Sequence, residues 1–457
     1  MEFLDRTEEI GRLQKQLNSG QSSFIVIYGR RRLGKSTLIK HILADDDVYY
    51  MAELNEQTVQ LSLLVNSIAS VYPSFAGITF ASWESLLTHF NAICHKGTTL
   101  VLDEFPYLVK SCKSLPSTLQ KLLDTKKLNF NLIICGSSQR MMQNMVLSAS
   151  EPLYGRLNER MVVGPISITY WKEAFNLSAI EAVEEYSVWG GVPRYWELRE
   201  NNGSFMEAIE NLVLDSNGIL YDEPAALFFD EEGNKQLFAS IMTAIGKGVN
   251  LYSSLANALG KKTTELSTPL KNLAEMAYIK KEIPFGEPEK SKKTLYSIND
   301  PFLGFYYRFI APNKSLLAIG RRQRVKEIIA AQLNNHIGRI WELLCQRAVS
   351  GNRLFNHDWM IASRWWGKVI NEEGEPELLE FDVVAESYDK RYLLVGECKW
   401  QKSDYSSRLL AHLKKRTELA PFAKGRKVVY ALFLREKPLD TPEGNILYPD
   451  EIIELNK

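Results

Sequence analysis

The chain has 457 residues, with 55 Lys+Arg against 55 Asp+Glu, so its formal net charge is zero. A balanced chain has no whole-molecule field to steer it to nucleic acid, and any basic surface must be local. Its length predicts two to four domains, and 45% hydrophobic with 24% charged residues excludes a disordered or membrane-dominated chain.

The first 165 residues alternate short apolar runs with amphipathic stretches. FIVIY (24–28), VYYMA (48–52), TLVLD (99–103) and LIICG (132–136) read as buried parallel strands. Helical patterns such as STLIKHIL (36–43) and WESLLTHFNAI (83–93) lie between them, and this rhythm predicts a parallel sheet covered on both faces. From 166 to 248 helix dominates, broken by Gly-Gly-Val-Pro at 190–193. A helix–turn–helix pattern follows over 252–282, then a hairpin with a basic tip over 285–298. This is a winged-helix pattern within 249–300. Residues 301–330 are aromatic, then basic, and read as a linker. The final α/β segment, 331–457, opens with a helix at about 331–350 and has strands at 378–386, 392–400 and 427–434. The five cysteines, Cys94, Cys112, Cys135, Cys345 and Cys398, form no CxxC pair, which points to a reducing cytoplasm. The N-terminus is charged from its second residue, unlike a signal peptide, and no apolar run is long enough to span a membrane.

Gly29-Arg30-Arg31-Arg32-Leu33-Gly34-Lys35-Ser36 fits GxxxxGK[ST] between a strand and a helix. Its backbone amides converge on phosphate oxygens, Lys35 reaches the β- and γ-phosphates of ATP, and Ser36, followed by Thr37, ligates Mg²⁺. An apolar strand ending in Asp103-Glu104 supplies the second half of such a site. Asp103 holds the metal's water shell and Glu104 deprotonates the attacking water. Ser137, beside Ser138 at the end of LIICG, reads either as a γ-phosphate sensor or as a strand-end turn. Arg156 reads either as an arginine finger, in cis or from another subunit, or as a salt-bridged surface residue.

FLDRTEEIGRL, GRRRLGKSTL, LDEFPYL, ICGSS, PLYGR and GGVPRY occur in the order found in the archaeal-type ATPase family, and residues 1–245 resemble that branch of AAA+/STAND P-loop NTPases. The resemblance implies an ATP-dependent switch with a helical lid, and it implies that Arg6 lies near the nucleotide base. The segment 252–298 resembles the winged helix of the same ATPases. Lys262, Lys271, Lys280 and Lys281, with wing-tip Lys290, Lys292 and Lys293, then face either DNA or solvent.

In the last segment Asp382 lies in FDVVA, and Glu397-Cys398-Lys399 in the next strand. Positions i and i+2 share a strand face, so Glu397 and Lys399 project together. Asp382 and Glu397 are candidate ligands for a divalent metal, Glu342 on the preceding helix is a third acid, and Lys399 is a cation for developing phosphate charge. Helix with Glu, strand with Asp, and strand with Glu-x-Lys resemble the PD-(D/E)XK nuclease fold, here with Phe381 where that family has Pro. RWWGKV and GECKW resemble the carboxyl-terminal domain (DUF234 type) fused to archaeal-type ATPases. Arg408, Lys414, Lys415, Arg416, Lys424, Arg426 and Lys427 form a basic stretch suited to a phosphate backbone. Two functions remain open: an ATP-regulated, Mg²⁺-dependent nuclease acting on DNA, or an ATP switch that binds DNA or protein through an inactive nuclease fold. Either is compatible with a homo-oligomer.

Overall fold

The computed structural model describes residues 5–137, 139–228, 235–402, 405–440 and 444–457. It divides into two compact units: Met1–Pro165 with Val192–Arg194, and Ile166–Gly191 with Tyr195–Lys457.

The first unit is built on five parallel strands: β1 (Phe24–Tyr28), β2 (Val48–Met51), β3 (Thr99–Asp103), β4 (Asn131–Gly136) and β5 (Glu159–Val162), in the order β2-β3-β4-β1-β5. β1, β3 and β4 are buried at every position. That is why they read as continuous apolar runs rather than alternating ones. Trp83, Phe90, Phe105 and Phe130 fill one side of the sheet with Leu64, Ile68 and Leu86. β4 lies between β1 and β3, so the loops leaving these three strands meet at one end of the sheet. In open α/β sheets that end is where ligands bind.

The second unit joins segments that the sequence assigns to separate domains. The helix Ala179–Trp189 starts with a capping box, in which Ser178 and Glu181 satisfy each other's backbone amides. Thr169 donates to the carbonyl of Ile453 at 2.8 Å, and His336 meets the carbonyl of Ser187 at 2.8 Å. Helices Tyr252–Ala258 and Thr263–Glu275 precede the hairpin of β6 (Ile279–Glu282) and β7 (Leu295–Ile298). The hairpin therefore starts earlier than expected. Its first strand is IKKE at 279–282, and 285–294 with Gly286 and Pro288 forms the connection, because proline cannot donate to a ladder.

Residues 301–330, expected as a linker, are largely helical. Phe302, Leu303, Phe305, Tyr306, Phe309 and Ile310 are buried in a run of short helices, and the helix expected from 331 already begins at Arg322 and runs to Val349. After the two short strands β8 (Arg353–Leu354) and β9 (His357–Asp358) comes a mixed five-stranded sheet. Its strands are β10 (Ser363–Ile370), β11 (Pro376–Glu386), β12 (Tyr392–Lys399), β13 (Lys427–Leu434) and β14 (Asn445–Leu447), in sequence order. β11 pairs antiparallel with both β10 and β12, and β12, β13 and β14 run parallel. Trp341 of the long helix donates to the carbonyl of Phe433 at 3.1 Å, and Leu410 and Leu413 of the helix Ser406–Leu419 enter a core with Phe381, Leu393 and Val395.

Candidate nucleotide site and carboxyl-terminal acidic site

The loop after β1 has little room for side chains. A Cβ on Gly29 would stand 2.3 Å from the carbonyl oxygen of Val163, so only glycine lets the two backbones approach. Gly34 takes the left-handed conformation, φ 81°, and starts the helix Lys35–Ile42. Arg32 is left-handed as well, at φ 67°. Leu33 is buried, and its carbonyl accepts from Arg6 at 3.1 Å. The same guanidinium reaches the carbonyl of Gly164 at 2.7 Å and Glu9 at 2.9 Å. Arg6 is therefore a brace under the phosphate loop, tying it to the end of β5.

Lys35 is 5% exposed and donates to the carbonyl of Arg30 at 2.9 Å. Burial pulls its pKa below the usual lysine value, against the opposing fields of Cys135, Glu104 and Asp103. A buried ammonium facing backbone fits a polyphosphate, which would restore the missing charge partner. Ser36 donates to Asp103 Oδ2 at 2.7 Å, while Thr37 is exposed. Arg31 donates to the Tyr107 hydroxyl at 3.2 Å.

Asp103 ends β3 and is 2% exposed. Burial works against its charge, but donors from Tyr49, Ser36, Cys135 and the Glu104 amide outweigh it and hold its pKa below the ordinary carboxylate value. Glu104 adopts φ 50° and ψ 42°, a left-handed backbone that costs a non-glycine residue roughly 1–2 kcal/mol. Such strain gathers where a fold must aim a side chain. Here it points the carboxylate to Ser137, whose hydroxyl donates to Glu104 Oε1 at 2.7 Å. The oxygen donors Ser36 and Asp103 suit Mg²⁺, so the residues fit the nucleotide and its metal.

Ser137 thus joins the site, and Ser138 lies outside the described residues. Arg156 does not join it: Asp124 accepts from its Nε at 2.7 Å and its Nη2 at 2.9 Å, and the carbonyls of Pro152 and Tyr154 take Nη1. Within this chain, Arg156 takes the salt-bridged surface placement. The residues that sequence reasoning missed are Tyr49 and Cys135, together with the bracing role of Arg6. Tyr49 lies on the edge strand and Cys135 inside an apolar run, so neither carries a sequence signal. The left-handed Asp5 and Arg6 leave none either.

In the second unit, Ser363 pairs with Val384 but Trp365 pairs with Phe381. The resulting bulge takes in Asp382 and Val383, and bulges re-aim side chains beside functional sites. Asp382 Oδ2 accepts from the Cys398 amide at 2.8 Å. Lys399 stands 2.7 Å from Glu397 Oε1, and Arg416 takes Glu397 Oε2 at 3.1 Å. Burial, then Glu342 and Glu397, push the Asp382 carboxyl up to about 7. Burial also raises Glu342, against Arg364 and Arg339. Lys399 is disfavoured by burial, but Glu397 and Asp382 outweigh that and raise its pKa.

Three acids converging on one metal are not assembled. Among the described residues, no three His, Cys, Asp or Glu side chains stand close enough to hold a metal ion. The physical reason is strand alternation. Cys398 meets Cys345 of the long helix, so its neighbours Glu397 and Lys399 face the other way, toward Arg416. Glu342 instead lines a cavity with Asp382. As placed, Glu342, Asp382 and Glu397 do not fit a common metal. Three of the seven basic residues in that stretch are ion-paired. Arg416 serves Glu397, Lys415 pairs with Glu372 at 3.1 Å, and Arg426 pairs with Glu386. In the wing, Lys293 pairs with Glu287 at 2.6 Å, while Lys290 and Lys292 are exposed.

A phosphate loop, an acid-tipped strand and a polar residue just beyond β4 define a P-loop ATPase domain. Residues 3–197 match the model of an ATPase domain found predominantly in Archaea, and residues 306–412 match that of archaeal and bacterial proteins of unknown function. An uncharacterized protein of Methanocaldococcus jannaschii is 32% identical over 408 residues, spanning 87% of this chain and 88% of the relative. An uncharacterized ATP-binding protein of the same organism is 39% identical over 46 residues, 10% of this chain and 78% of that protein. The chain belongs to this archaeal-type ATPase family with the fused carboxyl-terminal domain. The ORC2 protein of Aeropyrum pernix, solved in ADPNP–ADP complexes, is similar at 15% identity and TM-score 0.46, covering 68% of this chain and 95% of that one. The RuvB Holliday junction branch migration motor of Thermotoga maritima is similar at 15% identity and TM-score 0.33, covering 65% and 93%. Among the described residues, no helix is long and apolar enough to cross a membrane.

Proposed function

We propose that this chain is an ATP-hydrolysing switch coupled to a nuclease-like domain that acts on DNA. The observation that carries the ATPase reading is the pair of contacts Ser36–Asp103 and Glu104–Ser137, each 2.7 Å, at the ends of neighbouring parallel strands. Backbone amides of Gly29–Ser36 bind the phosphates, and Lys35 orients and neutralises the β/γ oxygens. Ser36 and Asp103 are the residues that would hold Mg²⁺, which when bound offsets charge on the leaving phosphate. Glu104 takes a proton from the attacking water, and Ser137 holds the carboxylate until nucleotide enters. The switch would act from a helical lid over 166–248 through a winged helix over 249–300, in the cytoplasm, as a monomer or homo-oligomer.

For the carboxyl-terminal domain, whose acids as placed hold no common metal, the first reading is phosphodiester cleavage with Asp382, Glu397 and Lys399 as the working set. Its support is the crowding of acid charge at the bulged Asp382. The second reading, a DNA- or protein-binding domain that cuts nothing, is favoured by Glu397, whose two oxygens are both taken. Incubation with plasmid and single-stranded DNA, with Mg²⁺ or Mn²⁺ and with or without ATP, separates the two. Metal-dependent nicking lost in Lys399→Ala supports the nuclease. DNA retention without nicking supports the binding module.

A further inference from the structure

A cavity of about 390 Å³ opens within the second unit, between the hairpin, the helices Lys235–Gly246 and Pro301–Phe305, the long helix and the β10–β11 edge. Its walls carry Lys280, Arg308, Arg339 and Arg364. Two of these cations are already partnered. Lys280 stands 3.4 Å and Arg364 3.5 Å from Glu282, and Arg364 also pairs with Glu380. Arg364 Nε and Arg308 Nη1 are nevertheless buried with no hydrogen-bond partner, and so is the Oδ1 of Asn250 on the same cavity. An orphaned guanidinium donor and an orphaned amide acceptor cost free energy unless a ligand completes them.

The field around Arg308 is positive. Burial and then Arg339 pull its pKa down. Burial holds His336 at about 4; its bond to Ser187 opposes that shift, while Arg308 and Arg339 add to it. His336 is thus neutral and adds no charge of its own, while Arg308 and Arg339 stand close enough to repel. Glu342 and Asp382 also line the cavity, so the ligand must present its negative group to the arginines and a neutral or cationic part elsewhere. Arginine forks match phosphate oxygens, and a cavity of this size holds one small molecule rather than a duplex.

We propose that this cavity binds the phosphate monoester of one nucleotide, with Arg308 and Arg339 on the phosphate and Asn250 accepting from a hydroxyl or amino group of the nucleoside. This is a second phosphate site, separate from the loop Gly29–Ser36, and it requires no cleavage. The nucleotide is either free or the phosphorylated end of a DNA strand.

The test uses the full chain carrying Lys35→Ala, which silences the phosphate loop, in EDTA so that no metal-dependent cutting intervenes. Calorimetry compares dAMP, a 5′-phosphorylated pentadeoxynucleotide and the same pentamer without phosphate. Binding of dAMP alone identifies a free nucleotide, and binding of the phosphorylated pentamer identifies a strand end. In either case the unphosphorylated pentamer binds roughly tenfold or more weakly, the loss of a charge-assisted contact. Arg339→Gln, at an exposed position that folding tolerates, weakens the same binding about tenfold, and with Lys35 restored it leaves ATP turnover unchanged. Arg308→Met does the same, with a thermal melt to check folding. No binding of any phosphorylated probe, equal binding with and without phosphate, or an unaltered affinity in Arg339→Gln overturns the proposal.

Discussion

Arg6→Ala separates two roles for this residue. The family resemblance implies a place near the nucleotide base, whereas the structure gives Arg6 three acceptors: Leu33 O, Gly164 O and Glu9. Arg6 is 5% exposed, so truncation leaves two carbonyls without donors where water has little access. Hydrogen bonds from a charged group are each worth about 1.5–3 kcal/mol net, and losing the two carbonyl bonds costs about 3–6 kcal/mol. For a unit of this size, that lowers the melting temperature by on the order of 10 °C. The assay is thermal unfolding of the nucleotide-free chain, with hydrogen exchange read on the peptide spanning Gly29–Ser36. The bracing role predicts a lower first transition and faster exchange in the loop before any ATP is added. An unchanged melt and exchange, with only ATP affinity reduced, would show that Arg6 is a base contact and that the bracing argument is wrong.

Three further outcomes follow from particular contacts. Gly29→Ala places a Cβ 2.3 Å from Val163 O, so the loop must move by about 1 Å to reach ordinary contact; ATP affinity should fall at least tenfold (about 1.4 kcal/mol), and wild-type affinity by calorimetry would refute the close approach. Asp382, raised to about 7, binds a proton in the folded state that it does not hold unfolded, so metal-free stability is full below pH 4 and is lost as pH rises to 7, by up to about 4 kcal/mol. Asp382→Asn should flatten that dependence in denaturant titrations at pH 5 and 8; an equal slope in both proteins would remove the acid crowding. If DNA binds, charge reversal at exposed Lys290 and Lys292 should weaken it more, and reduce its salt dependence more, than reversal at Lys415, which already serves Glu372; the reverse ranking moves the contact surface to the helix Ser406–Leu419.

The parallel sheet of the first unit was legible because its strands are buried on both faces and bounded by glycine and charge. The phosphate loop and Asp103-Glu104 were legible because their chemistry demands residue types at fixed spacing. The distal partners were not. Tyr49 reaches Asp103 only because β2 and β3 are neighbours, and Arg156 finds Asp124 across 32 residues. In the second unit, the Asp382 and Glu397–Lys399 strands were visible, but the orientation of their side chains was not. The bulge at Asp382 and the contact between Cys398 and Cys345 decide which acids meet, and neither leaves a pattern in the sequence. Residues 301–330 were misread because an aromatic run followed by a basic one hides short helices that bury Phe302, Tyr306 and Phe309.

Glu104 is proposed as the base of an ATPase whose loop is Gly29–Ser36. Its most direct test is ATP hydrolysis by Glu104→Gln beside wild type, with ATP affinity measured on both. A carboxamide keeps the shape and can still accept from Ser137, but it cannot take a proton. Affinity should be unchanged, with turnover reduced by a factor on the order of 10²–10⁴. Hydrolysis by Glu104→Gln at the wild-type rate would contradict it.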